Sequence, residues 1–131
     1  MSTDPLLAPS PRRYLVVDDN RDQAGSLCTL LRTAGNEAQA VHDGETALRA
    51  AGLFRPDVVL LDLGLPRLDG YDTCRALRRL PGGDQLLIVA ITGWGGSEDR
   101  ERTEAAGFSA HLVKPVRYAG LMRLVEELHA R

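Results

Sequence analysis

The sequence lacks most of the features that would place it in a membrane, on nucleic acid or around a thiolate-bound metal. It holds two cysteines, Cys28 and Cys74, far apart, with no C-x-x-C pair and no nearby histidine at metal-ligand spacing. Neither a zinc site nor a redox pair is indicated, and both cysteines read as core or half-buried helix positions. Long apolar runs are missing too. Stretches such as Leu86 to Ile91 fall far short of the roughly 20 residues that span a bilayer. No apolar segment follows the N-terminus as a signal peptide requires, so the chain reads as cytoplasmic with no membrane insertion. Nor does one sign of charge dominate: 16 basic and 18 acidic residues are interspersed, for a net charge of −2. That leaves no electrostatic footprint for a phosphate backbone, and direct nucleic-acid binding is not expected. There is no internal repeat.

What is present is the balance of an ordinary globular domain, with 131 residues, 44% hydrophobic and 26% charged. A chain of this length forms one domain that buries roughly two-thirds of its unfolded surface. Residues 1–11 contain Pro5, Pro9 and Pro11 and show no periodicity, which is the composition of a loose tail or linker. The folded unit is expected over 12–131.

From Arg12 onward, short apolar runs alternate with longer amphipathic stretches, the pattern of βα units on a parallel sheet. Strands are expected at Tyr14–Val17, Ala38–Val41, Val58–Leu61, Leu86–Ile91 and Ala110–Val113. Several are nearly pure Val, Leu and Ile, as strands covered on both faces should be. Leu27, Leu30, Leu31 and Ala34 mark a first helix stopped by Gly35. Asp43-Gly44-Glu45 opens a second that ends near Gly52. Tyr71, Cys74, Leu77 and Arg78 mark a third stopped by Pro81-Gly82-Gly83. Ser97 to Ala106 forms a fourth closed by Gly107, and Leu121, Leu124, Val125 and Leu128 line a last one.

In an open parallel α/β sheet, ligands bind outside the carboxyl ends of the strands. The residues expected there are Asp18 and Asp19 after the first strand, Asp62 after the third, Thr92 after the fourth, and Lys114 with Pro115 after the fifth. Three carboxylates on one rim repel one another, and without a cation at least one pKa must rise. A few hard oxygen ligands completed by water are what Mg2+ prefers. Lys114 adds a positive charge and Thr92 a hydroxyl donor, so the rim suits a phosphoryl group. Each residue alone also has a plainer reading. Asp18-Asp19 would serve as a cap for the first helix, Asp62 and Thr92 as turn residues, and Lys114 as a solvated loop charge.

Four segments together resemble the signature of response regulator receiver domains: Val16-Val17-Asp18-Asp19-Asn20, Val59-Leu60-Leu61-Asp62-Leu63-Gly64-Leu65-Pro66 with Asp69-Gly70, Ala90-Ile91-Thr92-Gly93, and Val113-Lys114-Pro115. Their order and the gaps between them match over about Arg12 to the C-terminus. The resemblance implies a doubly wound, flavodoxin-like α/β fold, a five-stranded parallel sheet in the order 2-1-3-4-5 with five helices. It implies that Asp62 accepts a phosphoryl group from a phosphohistidine of a histidine kinase or histidine phosphotransfer domain. Asp19 and Asp62 would bind Mg2+, with the Gly64 carbonyl as a further ligand and Asp18 acting partly through water. Thr92 and Lys114 would hold the phosphoryl oxygens, and the Lys114-Pro115 bond would be cis. Such a domain promotes its own phosphorylation and slow hydrolysis and is not a conventional enzyme. The family's switching aromatic on strand five falls at His111, a departure. Trp94, the only tryptophan, flanks the expected phosphoryl position as a shielding indole.

Rival functions fit less well. A haloacid-dehalogenase-like phosphatase needs a second acid two residues after its nucleophile, where this chain has Gly64. A dinucleotide site needs G-x-G-x-x-G after the first strand, where it has Asp18-Asp19-Asn20-Arg21. A receiver-like binding module that is never phosphorylated would be expected to lack Asp62, Thr92 or Lys114. The last helix runs almost to Arg131, so no output domain is expected to follow. The Pro-rich start and Gly107 to Val116 look similar to the C-terminal receivers of hybrid histidine kinases, and the alternative is a single-domain regulator.

Overall fold

The computed structural model describes residues 11–65, 69–93 and 97–130. Pro66 and Trp94, and residues 1–10 of the expected tail, lie outside the described residues. Strands and helices alternate along the chain: β1 Arg13–Val17, α1 Arg21–Thr33, β2 Glu37–Val41, α2 Gly44–Phe54, β3 Val58–Asp62, α3 Gly70–Arg79, β4 Leu87–Thr92, α4 Ser97–Ala106, β5 Ala110–Val113 and α5 Tyr118–His129. A short 3-10 turn, Gly83–Gln85, precedes β4.

The strands form one parallel sheet in the order β2-β1-β3-β4-β5. Alternate strand side chains point to opposite faces, and each face has its own core. Leu15, Val17, Val59, Leu61, Ile88 and Ala90 pack against Ala47 and Ala51 of α2, Cys74 and Leu77 of α3 and Ala106 of α4. Tyr14, Val16, Val58, Leu60, Val89 and Ile91 pack against Ala24, Cys28 and Leu31 of α1 and Leu121 and Val125 of α5. All five residues of β3 are buried, as its central position requires. Because β1 lies between β2 and β3, the chain order reverses there, and a crevice opens at the carboxyl ends of β1 and β3.

Several element ends depart from the sequence reading: β1 and β2 each begin one residue earlier, at Arg13 and Glu37. Asp62 and Thr92 are the last residues of β3 and β4 rather than residues beyond them, because pairing continues through Asp62 with Ile91 and Thr92 with Val113. β4 begins at Leu87, since Leu86 ends the 3-10 turn and its carbonyl accepts from the Arg78 guanidinium at 2.7 Å. α2 runs past Gly52 to Phe54 and stops at Arg55, which takes a left-handed conformation with φ 54°. Pro56 follows, and a proline there disfavours further helix at the preceding residue. Gly35, with φ 98°, supplies the left-handed turn after α1.

Candidate functional site

The acidic pair leaves β1 through a fixed turn. Asp18 N–H donates to the Val41 carbonyl at 3.1 Å, one step beyond the register pair Val17–Val41. Asp18 Oδ1 accepts the Asn20 N–H at 2.9 Å. The N-cap of α1 is Asn20, whose side-chain oxygen accepts from Gln23 N–H at 3.0 Å. The reading of Asp18-Asp19 as helix caps is thus overturned. The Asn20 cap has a sequence signal, an Asn three residues before a Gln at a helix start.

Asp62 ends β3, and its two oxygens do different work. Oδ1 accepts the Gly64 N–H at 2.8 Å, the short turn expected of a plain turn residue. Oδ2 accepts from the Lys114 ammonium at 3.0 Å. Lys114 also stands 4.0 Å from Asp18 Oδ2. The Lys114 backbone is set by β4, since its N–H donates to the Thr92 carbonyl at 2.7 Å. The peptide bond between Lys114 and Pro115 is cis, as expected. On the far side, Gly70 starts α3 against this turn. A Cβ there would meet Leu63 Cα at 2.7 Å and the Asp62 carbonyl at 2.9 Å, so only glycine lets α3 approach so closely.

Asp18, Asp62 and Thr92 are buried and Asp19 is exposed. Ligand oxygens of Asp18, Asp19 and Asp62 lie within 4.8 Å of one another. Burial pushes the Asp18 carboxyl above its usual range, and the nearby Asp62 carboxyl adds to this, against the Asn20 N–H and the Lys114 charge. A rise at one carboxylate was expected from repulsion, yet desolvation is the larger cause. For Lys114, burial opposes the charge. The Asp62 hydrogen bond and the charges of Asp62, Asp18 and Asp19 outweigh it, so its pKa is raised. The side-chain donors brought together here among the described residues are carboxylate oxygens, hard ligands that fit Mg2+.

A cavity of about 670 Å³ runs from this cluster between α1 and the Lys114–Val116 segment that follows β5, over Val16, Leu60 and Ile91. Gly64 is exposed and held to Asp62 through its N–H. His111 lies half-buried on β5 opposite Ala90. One residue at the rim escaped the sequence reading: His42, after β2, whose Nδ1 lies 2.9 Å from the Asp18 carbonyl oxygen.

A doubly wound domain with clustered aspartates and one lysine at the carboxyl ends of its strands is the frame of an acidic-pocket signalling domain. The chain belongs to the response regulator receiver domain family, which matches residues 14–126. Receiver domains act in two-component signalling, and phosphorylation on an aspartate with Mg2+ in the acidic pocket is general for them. The chain is 39% identical over 121 residues to response regulator MprA of Mycolicibacterium vanbaalenii, covering 92% of this chain and 48% of that protein. It thus spans about half the length of that relative. Chemotaxis protein CheY4 of Vibrio cholerae superposes with a TM-score of 0.86 at 26% identity, over 91% of this chain and 99% of that one. The receiver domain of sensor histidine kinase PA1611 from Pseudomonas aeruginosa, solved with a magnesium ion coordinated in its active site cleft, gives 0.82 at 33% identity. That match covers 93% of this chain and 100% of the other. No helix among the described residues is long and apolar enough to cross a membrane.

Proposed function

We propose that Asp62 is the phosphoacceptor of a receiver unit spanning 12–131, in the cytoplasm, served by the phosphohistidine of a histidine kinase or histidine phosphotransfer domain. The observation that carries this is the Asp62 carboxylate itself. It is buried at a strand end, fixed by Gly64 through one oxygen and met by the Lys114 ammonium at 3.0 Å through the other.

Asp18, Asp19 and Asp62, with the Gly64 carbonyl, would hold Mg2+, as the Pseudomonas receiver holds magnesium in its cleft, and the ion would neutralise charge on the phosphoryl oxygens. A carboxylate oxygen of Asp62 attacks phosphorus, the P–N bond of the donor breaks, and the imidazole leaves with the electron pair. The transition state is loose, so alignment and charge neutralisation are the main contributions of the protein. Lys114 moves its ammonium from Asp62 Oδ2 to a phosphoryl oxygen, and the Thr92 hydroxyl donates to another. Those two contacts bias a conformational equilibrium that carries the signal onward. Water later attacks phosphorus, restoring the carboxylate and releasing inorganic phosphate. The domain thus promotes its own phosphorylation and dephosphorylation and turns over no separate substrate.

Acetyl phosphate with Mg2+ should add one phosphoryl group to the wild-type chain, read by intact-mass spectrometry. Asp62→Asn should add none while keeping its melting transition. An undiminished adduct on the variant would remove Asp62 from the role.

A further inference from the structure

The backbone of Asp18 is held on both sides, by the last residue of β2 and by the residue that follows it. Its N–H donates to the Val41 carbonyl at 3.1 Å, and its carbonyl oxygen lies 2.9 Å from His42 Nδ1. A carbonyl carries no proton, so this bond requires Nδ1 to be the protonated nitrogen of the ring. His42 is itself anchored. It sits half-buried between the end of β2 and Asp43, which caps α2 by accepting the Thr46 N–H at 2.7 Å.

The Asp18 carbonyl and the Asp19 N–H belong to one planar peptide unit. Fixing the direction of that carbonyl fixes the ψ of Asp18 and so the plane of this peptide, and the Asn20 N–H held by Asp18 Oδ1 at 2.9 Å restrains the φ of Asp19 from the other side. Those two angles together determine how the Cα–Cβ bonds of the two aspartates point relative to each other. Asp18 and Asp19 lie in a turn past the last β1–β2 register pair, where strand pairing no longer sets the peptide plane. We infer that His42 is a positioning residue that holds the Asp18–Asp19 peptide so that both carboxylates face one cation. The inference rests on reading the acidic cluster as a Mg2+ site. His42 touches neither the cation nor the phosphoryl group in this account; it acts through the Asp18 backbone. Groups that orient metal ligands in this way typically matter by 10–100-fold in affinity.

The test is isothermal titration of the full chain with Mg2+, with the melting temperature of the metal-free protein measured in parallel. His42→Ala should weaken Mg2+ binding by about tenfold, the low end of that range. His42→Asn puts an amide N–H near the place of Nδ1 and should restore most of the affinity. His42→Gln carries its amide further out and should not. A purely structural role would lower the metal-free melting temperature and leave the dissociation constant alone. Wild-type affinity in His42→Ala, or equal losses in the Ala and Asn variants, would overturn the inference while leaving the Mg2+ site standing. A wild-type chain that binds no Mg2+ would overturn both.

Discussion

The two ends of the sheet hold charge in opposite ways. At the amino ends of the strands, four of the five Arg78 guanidinium N–H groups are engaged. They donate to the carbonyls of Gly107 at 2.8 Å and of Gly83 and Leu86 at 2.7 Å each, and to Ser109 Oγ at 3.1 Å. Arg13 likewise bonds the Phe54 carbonyl, pairs with Glu37 at 2.6 Å and lies over the Phe54 ring. At the carboxyl ends, three carboxylates lie together and the Lys114 ammonium pairs with two of them, Asp62 and Asp18. The first end closes loops on themselves and contributes stability. The second is left net negative, a cost in the metal-free fold and a capacity for binding a cation.

Breaking the closed end should have the larger effect on stability. Arg78→Ala removes the guanidinium from three carbonyls, of which, among the described residues, only that of Gly83 keeps a further donor, the Leu86 N–H at 3.3 Å. Hydrogen bonds from a charged group contribute about 1.5–3 kcal/mol each. A loss of about 3 kcal/mol is expected in urea unfolding, with Mg2+ affinity of the folded protein unchanged. Arg78→Lys should recover only part of it, because one ammonium cannot reproduce the fork. A loss well below 1 kcal/mol, or a change in Mg2+ affinity, would erase the distinction between the two ends.

The open end should respond to a ligand where the closed end does not. A cation bound only by the folded state at ten times its dissociation constant adds about 1.4 kcal/mol. Mg2+ should therefore raise the melting temperature of the wild type and of Arg78→Lys, and Asp19→Ala should lose most of that rise. Equal rises in wild type and Asp19→Ala would mean the exposed carboxylate takes no part.

Much of this contrast was legible in the sequence, at one end more than the other. The chemistry-bearing residues of the open end stand beside runs such as Val58–Leu61, so locating the strands located Asp62. The plainer reading of Asp62 was also partly right, since its Oδ1 does close a turn with Gly64. Thr92 and Asp62 lie inside their strands because pairing to Val113 and Ile91 runs one residue further than the apolar pattern. The clamp of Arg78 was not legible, because its partners are mostly backbone carbonyls, two from the turn just after α3 and one from the distant turn at Gly107, and side-chain patterning does not record them. His42 was missed for the same reason: it bonds a carbonyl, and side-chain spacing carries no trace of that contact. The exchange of Gly52 for Arg55 as the end of α2 reflects Pro56, a stronger stop than a glycine that can take helical angles.

The account stands on Asp62 being the residue that becomes phosphorylated, and the adduct can be placed directly. The chain would be phosphorylated with acetyl phosphate and Mg2+, then treated with borohydride, which reduces an acyl phosphate to the alcohol and leaves free carboxylates intact. Peptide mass spectrometry should find homoserine at position 62 and aspartate unchanged at 18 and 19, with no reduction when acetyl phosphate is omitted. Homoserine at position 18 or 19 in place of 62, or a phosphorylated chain in which position 62 stays aspartate, would contradict the central claim.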